Sequence, residues 1–229
     1  MLHIGIVACS TEGAALCYRT ISLEGGLVIG KHDHPEVSLH SFSLAEYMKR
    51  IDVDDWAGVA ELMMRSAEKL ARAGADFLIC PDNTIHQAFD LVEHRSPRPW
   101  LHIAREVAAE AKRRGYKRLA VLGTRYLMEG PVYREALKAA GIELRVPSAE
   151  QRVRINQIIF DELVNGQFLP RSLAYFIGVI RGLKDEGCDA VVLGCTEIPL
   201  LVTPEVSPLP TLDSTRLLAT AAVRKAVEG

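Results

Sequence analysis

GADFLICPDNTIH, from Gly74 to His86, returns in altered form as GCDAVVLGCTEIP from Gly187 to Pro199. Each copy opens on Gly-x-Asp, runs through a short apolar stretch of the kind that makes a buried strand, and ends in small polar residues where a loop should open. The offset of 113 sets Asp76 on Asp189, Asp82 on Cys195 and Asn83 on Thr196. Ligands bind beyond the carboxyl ends of strands in an open parallel sheet, so duplicated strand ends predict two lobes facing one crevice. One lobe offers a carboxylate, Asp82, and the other a thiol, Cys195.

A second echo extends the duplication to whole lobes. HIGIVACS from His3 and RLAVLGTR from Arg118 are related by an offset of 115. Each reads as a central strand that ends in a hydroxyl residue, Ser10 in one lobe and Thr124 in the other, with Glu12-Gly13 and Glu129-Gly130 following. Between these landmarks helical and strand patterns alternate. Apolar positions from Trp56 to Ala71 repeat at helical spacing and stop at Gly74; a second helix runs from His102 to Gly115. Pro131 opens a further helix that Gly141 ends, ahead of the short strand IELRVP. Helices are also predicted over residues 149–165 and 171–186, and over LDSTRLLATAAVRKAV near the C-terminus. This β-α-β-α order predicts an α/β fold of two pseudo-symmetric, doubly wound lobes with parallel sheets. The prolines of SPRPW, from Ser96, mark the crossing between lobes, and a second Pro-rich stretch begins at Val202. The lobes are therefore expected at residues 1–98 plus 214–229 and at 99–213.

Composition narrows the class of protein. Hydrophobic residues at 48% and charged residues at 24% are the balance of a globular chain with real cores, and a formal charge of -2 gives no general attraction to nucleic acid or anionic membrane. The basic run at Lys112, Arg113, Arg114, Lys117 and Arg118 reads as a solvated helix end. No apolar run approaches the roughly 20 residues of a membrane span, and the strand-like start lacks a secretion signal, so the cytoplasm is the expected location. His32, Asp33 and His34 have no companion ligand cluster, and no metal site is expected.

The five cysteines form no CxxC pair, and an odd number in a chain of this kind argues for free thiols. Cys9, Cys17, Cys80 and Cys188 lie in or beside apolar segments and read as packing residues. Cys195 follows the strand AVVLG where the backbone should turn into a helix. A helix N-terminus there would stabilise its thiolate.

PDNTIH and GCTEI resemble the paired motifs of the aspartate/glutamate racemase superfamily, and the similarity covers essentially the whole chain. The resemblance implies a cofactor-independent amino-acid racemase, in the form of a homodimer, in which two side chains flank the substrate α-carbon. One removes its proton while the other donates to the opposite face. Cys195 is assigned to one face. Two-thiol racemases carry cysteine where this chain has Asp82, which leaves the other face to a carboxylate. As a base Asp82 starts roughly 4.6 pKa units weaker than a cysteine, about 6 kcal/mol in proton affinity. Reference values also favour ionised Asp82 with Cys195 as a thiol by about ten-thousand-fold. By analogy the second-lobe cysteine serves the L-enantiomer, so Asp82 would face the D-enantiomer.

The same loops suggest how a substrate is held. Asn83, Thr84 and Thr196, with Ser10, Thr11 and Thr124, could bind an α-carboxylate through backbone N–H groups and short polar side chains, or could simply cap helices. An acidic substrate, aspartate or glutamate, also needs a cation for its second carboxylate, for which Lys49 and Arg50 are the candidates. His86 could orient the first-lobe loop or pack its helix, and Glu197 could hold the Cys195 loop in shape. Two other readings keep the fold: a one-cysteine isomerase or decarboxylase of a carboxylic acid, and a catalytically inactive carboxylate-binding protein.

Overall fold

Continuous apolar strands bury both faces only when helices cover both sides of a parallel sheet. The computed structural model, which describes Met1–Gly229, contains two such four-stranded sheets. The chain divides into two units, Met1–Ile103 with Thr215–Gly229, and Ala104–Ser214. The first unit runs β1 (Ile4–Ala8), α1 (Thr11–Val28), β2 (Val37–Ser41), α2 (Leu44–Ile51), α3 (Trp56–Arg72), β3 (Phe77–Ile79), α4 (Asp90–Glu93) and β4 (Trp100–Leu101). Helix α5 (Ile103–Arg113) leads into the second, which continues β5 (Arg118–Leu122), α6 (Arg125–Glu129), α7 (Val132–Ala139), β6 (Glu143–Arg145), α8 (Ala149–Asp161), α9 (Pro170–Asp185), β7 (Ala190–Leu193), α10 (Ile198–Leu201) and β8 (Thr211–Asp213). Helix α11 (Ser214–Glu228) returns to the first unit.

The two sheets repeat one topology. Their strand orders are β2-β1-β3-β4 and β6-β5-β7-β8, all parallel. Register repeats as well: Ile4 pairs with Phe77 and Ile6 with Ile79, while Leu119 pairs with Ala190 and Val121 with Val192. These pairs are related by the same offsets, 115 and 113, that relate the repeated sequences. In each sheet the chain leaves the first strand toward one edge and later returns on its other side. The switch in direction falls between β1 and β3 in one unit and between β5 and β7 in the other, where an open parallel sheet holds its ligand.

The repeated Gly-x-Asp is a joint at the opposite end of the sheets. Gly74 and Gly187 take φ of +100° and +87°, which lets helices α3 and α9 stop and reverse. Asp76 then accepts the backbone N–H of His3 at 2.8 Å, and Asp189 accepts those of Lys117 and Arg118 at 2.6 and 2.8 Å. The starts of paired strands are thereby tied together.

Each unit has its own core. Ile4, Ile6, Phe77 and Ile79 pack with Cys17 and Ile21 of α1 and with Leu218, Ala222 and Val223 of α11. In the second unit Ala120, Leu122, Val191 and Leu193 pack with Ile155, Ile158 and Ile159 of α8 and Phe176 and Ile180 of α9. Two boundaries differ from the sequence expectation. The helix over 149–165 ends at Asp161 and gives way to a 3-10 turn, Leu163–Asn165, with Gly166 at φ +71° behind it. Leu212 and Asp213 belong to β8 rather than to the last helix, because they pair with Val192 and Leu193.

Candidate active site

The loop after β3 is fixed by Asp82. Its Oδ2 accepts the backbone N–H of Cys9 at 3.0 Å and its Oδ1 that of Ser10 at 3.1 Å. Both donors sit where the chain leaves β1, so the carboxylate joins the two loops that border the switch point of the first sheet. Two N–H donors stabilise the ionised carboxylate. His86 steadies the same loop from behind. The N–H of Ile103 donates to its Nε2 at 3.4 Å, so Nδ1 carries the hydrogen and donates to the Asp82 carbonyl at 3.0 Å.

The thiols around Asp82 are not alternative bases. Burial pushes the Cys9 thiol well up, and negative Asp82 adds to this; Cys80 is pushed up by burial and then by Asp82 in the same way. Both therefore remain neutral at ordinary pH. The phenol of Tyr47, fully buried, is also raised, chiefly by burial.

In the second unit Cys195 lies two residues beyond β7 and is half-buried. The approach of its loop to β5 depends on glycine. Gly194 N–H donates to Leu122 O at 2.7 Å, and a Cβ on Gly194 would press into the Leu127 side chain and lie 3.0 Å from that carbonyl. Gly123 is constrained reciprocally, since its Cβ would lie 3.1 Å from Gly194 O. The helix expected after Cys195 is a single turn, α10, beginning at Ile198. A helix that short has too little aligned backbone for a strong dipole. Instead the Cys195 Sγ donates to Glu197 Oε2 at 2.9 Å.

The remaining candidates divide by position. Asn83 and Thr196 are buried beside Asp82 and Cys195 in sequence, and Thr84 opens a short 3-10 helix, Thr84–Ala88. Thr124 caps α6, accepting the N–H of Leu127 at 3.3 Å. Ser10 occupies the N-cap position of α1 without capping it, and its buried Oγ has no hydrogen-bond partner. Ser10 and Thr11 stand at one end of a cavity of about 510 Å³ between α1 and β2, lined also by Ala14, Tyr18, Val37 and Leu39. No charged side chain lines it. Lys49 is exposed and paired with Glu46 at 3.4 Å, and Arg50 is paired at 3.0 Å with Asp55, the N-cap of α3. Neither cation is directed toward Asp82 by any contact. No group of three or more His, Cys, Asp or Glu side chains is arranged to hold a metal, and no helix is long and apolar enough to cross a membrane.

Asp82 in one unit and Cys195 in the other thus stand at equivalent strand ends of a duplicated α/β fold. A profile of the Asp/Glu/Hydantoin racemase family matches residues 27–222. The chain belongs to this family. It is an isomerase, as its amino-acid racemase relatives are. Over 192 residues it is 26% identical to the broad specificity amino-acid racemase RacX of Bacillus subtilis (strain 168), covering 83% of this chain and 82% of that one. A crystal structure of a Yersinia pestis protein provisionally assigned to the Asp/Glu racemases superposes with a TM-score of 0.92 at 32% identity, over 99% of this chain and 100% of the other. PH1733, an aspartate racemase homologue from Pyrococcus horikoshii OT3, superposes with a TM-score of 0.87 at 28% identity, again over 99% and 100%.

Proposed function

We propose that this racemase-family chain inverts the α-carbon of an amino acid by proton transfer between Asp82 and Cys195, without a cofactor. The observation that carries the reading is the opposite hydrogen-bonding of the two groups. Asp82 accepts two backbone N–H groups, as a carboxylate does, and Cys195 donates to a carboxylate, as a thiol does. One is thus ready to take a proton and the other to give one. Abstraction by Asp82 would leave a carbanion that Cys195 protonates on the other face; the return direction starts from the complementary pair, Asp82 protonated and Cys195 as thiolate. A racemase has an equilibrium constant of one, so the two directions must have equal catalytic efficiency despite the unequal groups.

Aspartate and glutamate are the first substrates of this proposal, from the family resemblance. Lys49 and Arg50, the candidate cations for the side-chain carboxylate, lend no support, since both are engaged with acidic neighbours. A second reading, an uncharged amino acid, is favoured by the uncharged cavity that begins at Ser10, whose N–H holds Asp82. The test is incubation in deuterium oxide with each enantiomer of aspartate, glutamate and leucine, following α-proton loss by NMR and inversion by chiral chromatography. Inversion of any of them, abolished by Asp82→Asn and by Cys195→Ala, supports the proposal. Absence of α-proton exchange with every one of them would overturn it for these substrate classes.

A further inference from the structure

Glu197 is a buried carboxylate, 6% exposed, with no arginine or lysine paired to it. It stands at the N-cap of α10 yet its side chain does not cap that helix. A carboxylate removed from water ordinarily gathers cations or several N–H donors; this one spends its side chain on the thiol two residues before it, Oε2 to Sγ at 2.9 Å. Such a contact aims the S–H and sets a negative charge beside the sulfur. Ionising the thiol would then place two like charges in contact and surrender the hydrogen bond, so the contact favours S–H over S⁻.

We infer that Glu197 is a positioning residue that keeps Cys195 protonated, so that the protein rests with Asp82 as the base and Cys195 as the acid. This rests on the proposed Asp82–Cys195 proton transfer for its catalytic meaning, but not for its test. The consequence for turnover is directional. The enantiomer whose α-hydrogen faces Asp82 meets a ready enzyme, while its mirror image must wait for the proton to move from Cys195 to Asp82. In deuterium oxide the first inversion should deliver a deuteron that was already on Cys195 sulfur.

The experiment reads the thiol directly and needs no substrate. The full-length protein, its Glu197→Gln variant and its Glu197→Asp variant are treated with iodoacetamide near neutral pH, and modification of Cys195 is followed by peptide mass spectrometry. Thiolate absorbance in the ultraviolet is read in parallel against Cys195→Ala. Glutamine removes the charge and offers an N–H to the sulfur, so Cys195 should be alkylated at least about tenfold faster, with a matching rise in thiolate absorbance. Glu197→Asp, which keeps the carboxylate, should stay close to the parent rate. Equal rates in the parent and the glutamine variant would overturn the inference, and a slower glutamine variant would overturn it too by showing that Glu197 draws the proton away. Thermal melting of each variant guards against exposure through unfolding. If the glutamine variant does not fold, the parent alone decides: its Cys195 must react more slowly than glutathione, and a faster reaction refutes the assignment. Failure here with intact racemisation would leave the proposed function standing, and the converse result would leave Glu197's effect on the thiol standing.

Discussion

Replacing Asp82 by asparagine should cost stability as well as turnover, because the carboxylate is a clamp as well as the proposed base. Its two oxygens hold two backbone donors, Cys9 N–H at 3.0 Å and Ser10 N–H at 3.1 Å. An asparagine of the same shape has one oxygen, and its NH2 would turn a donor toward a donor. One charge-assisted bond, worth about 1.5–3 kcal/mol, is then lost and the second weakened, while an N–H at the end of β1 is left without its acceptor. We expect a net loss of about 2–4 kcal/mol, which for a chain of this size lowers the melting temperature by roughly 4–16 °C. Differential scanning calorimetry measures this, and the α-proton exchange assay measures the chemistry on the same samples. Inversion should vanish, while exchange without inversion should survive for the enantiomer that faces Cys195. A variant that loses inversion but melts within a degree of the parent would refute the clamp, and with it the reason given for an ionised Asp82.

Other perturbations follow from the same geometry. Gly194→Ala forces a methyl against Leu127 and the Leu122 carbonyl, and should cost about 1–3 kcal/mol in a urea titration and displace Cys195 enough to depress exchange. In Cys195→Ala the remaining cysteines, Cys9, Cys17, Cys80 and Cys188, are all buried, and burial pushes Cys188 up to about 11 and Cys9 and Cys80 well up. Thiol titration near neutral pH should find none of the four in the folded protein and all of them after denaturation; rapid labelling when folded would contradict the packing described for them. Glu162 is held below the usual carboxylate range, first by the Ser172 hydroxyl and then by Arg171. Its folded value lies below its unfolded one, so its contribution is complete above about pH 4.3 and disappears as pH falls through the folded value. Ser172→Ala should therefore lower the urea midpoint at neutral pH and flatten its dependence on acid; an unchanged acid slope would count against the pairing.

The duplication was legible because it was written in side chains. A strand buried on both faces must be apolar throughout, and its ends must change character, so FLIC and AVVLG with their polar exits declare the fold from sequence and mark where a ligand would be sought. The same logic failed where burial is partial. Strand β2 is an edge strand of mixed exposure, and α1 contains Gly25 and Gly26, so neither has a periodicity that stands out. The length of helix α10 was not legible for a related reason: Ile198, Pro199 and Leu201 are buried, as the residues of longer helices often are, but the chain makes only one turn before Val202 leaves it.

What holds the two proposed acid/base groups is less visible still, and the reason differs between them. The donors to Asp82 are backbone N–H groups of Cys9 and Ser10, and every residue but proline has one, so no letter in the sequence marks them. They become identifiable only through topology, because the switch point between β1 and β3 brings those two loops together. The partner of Cys195 is a side chain, Glu197, and stands in plain view two positions away. Its meaning was hidden by proximity, since a residue so close in sequence can point anywhere. An ion pair to lysine or arginine, or a cap on α10, would have made Glu197 structural. The absence of both in the folded chain is what turns an adjacent carboxylate into a control on the thiol, and makes the protonation of Cys195 a property of its loop rather than of cysteine in general.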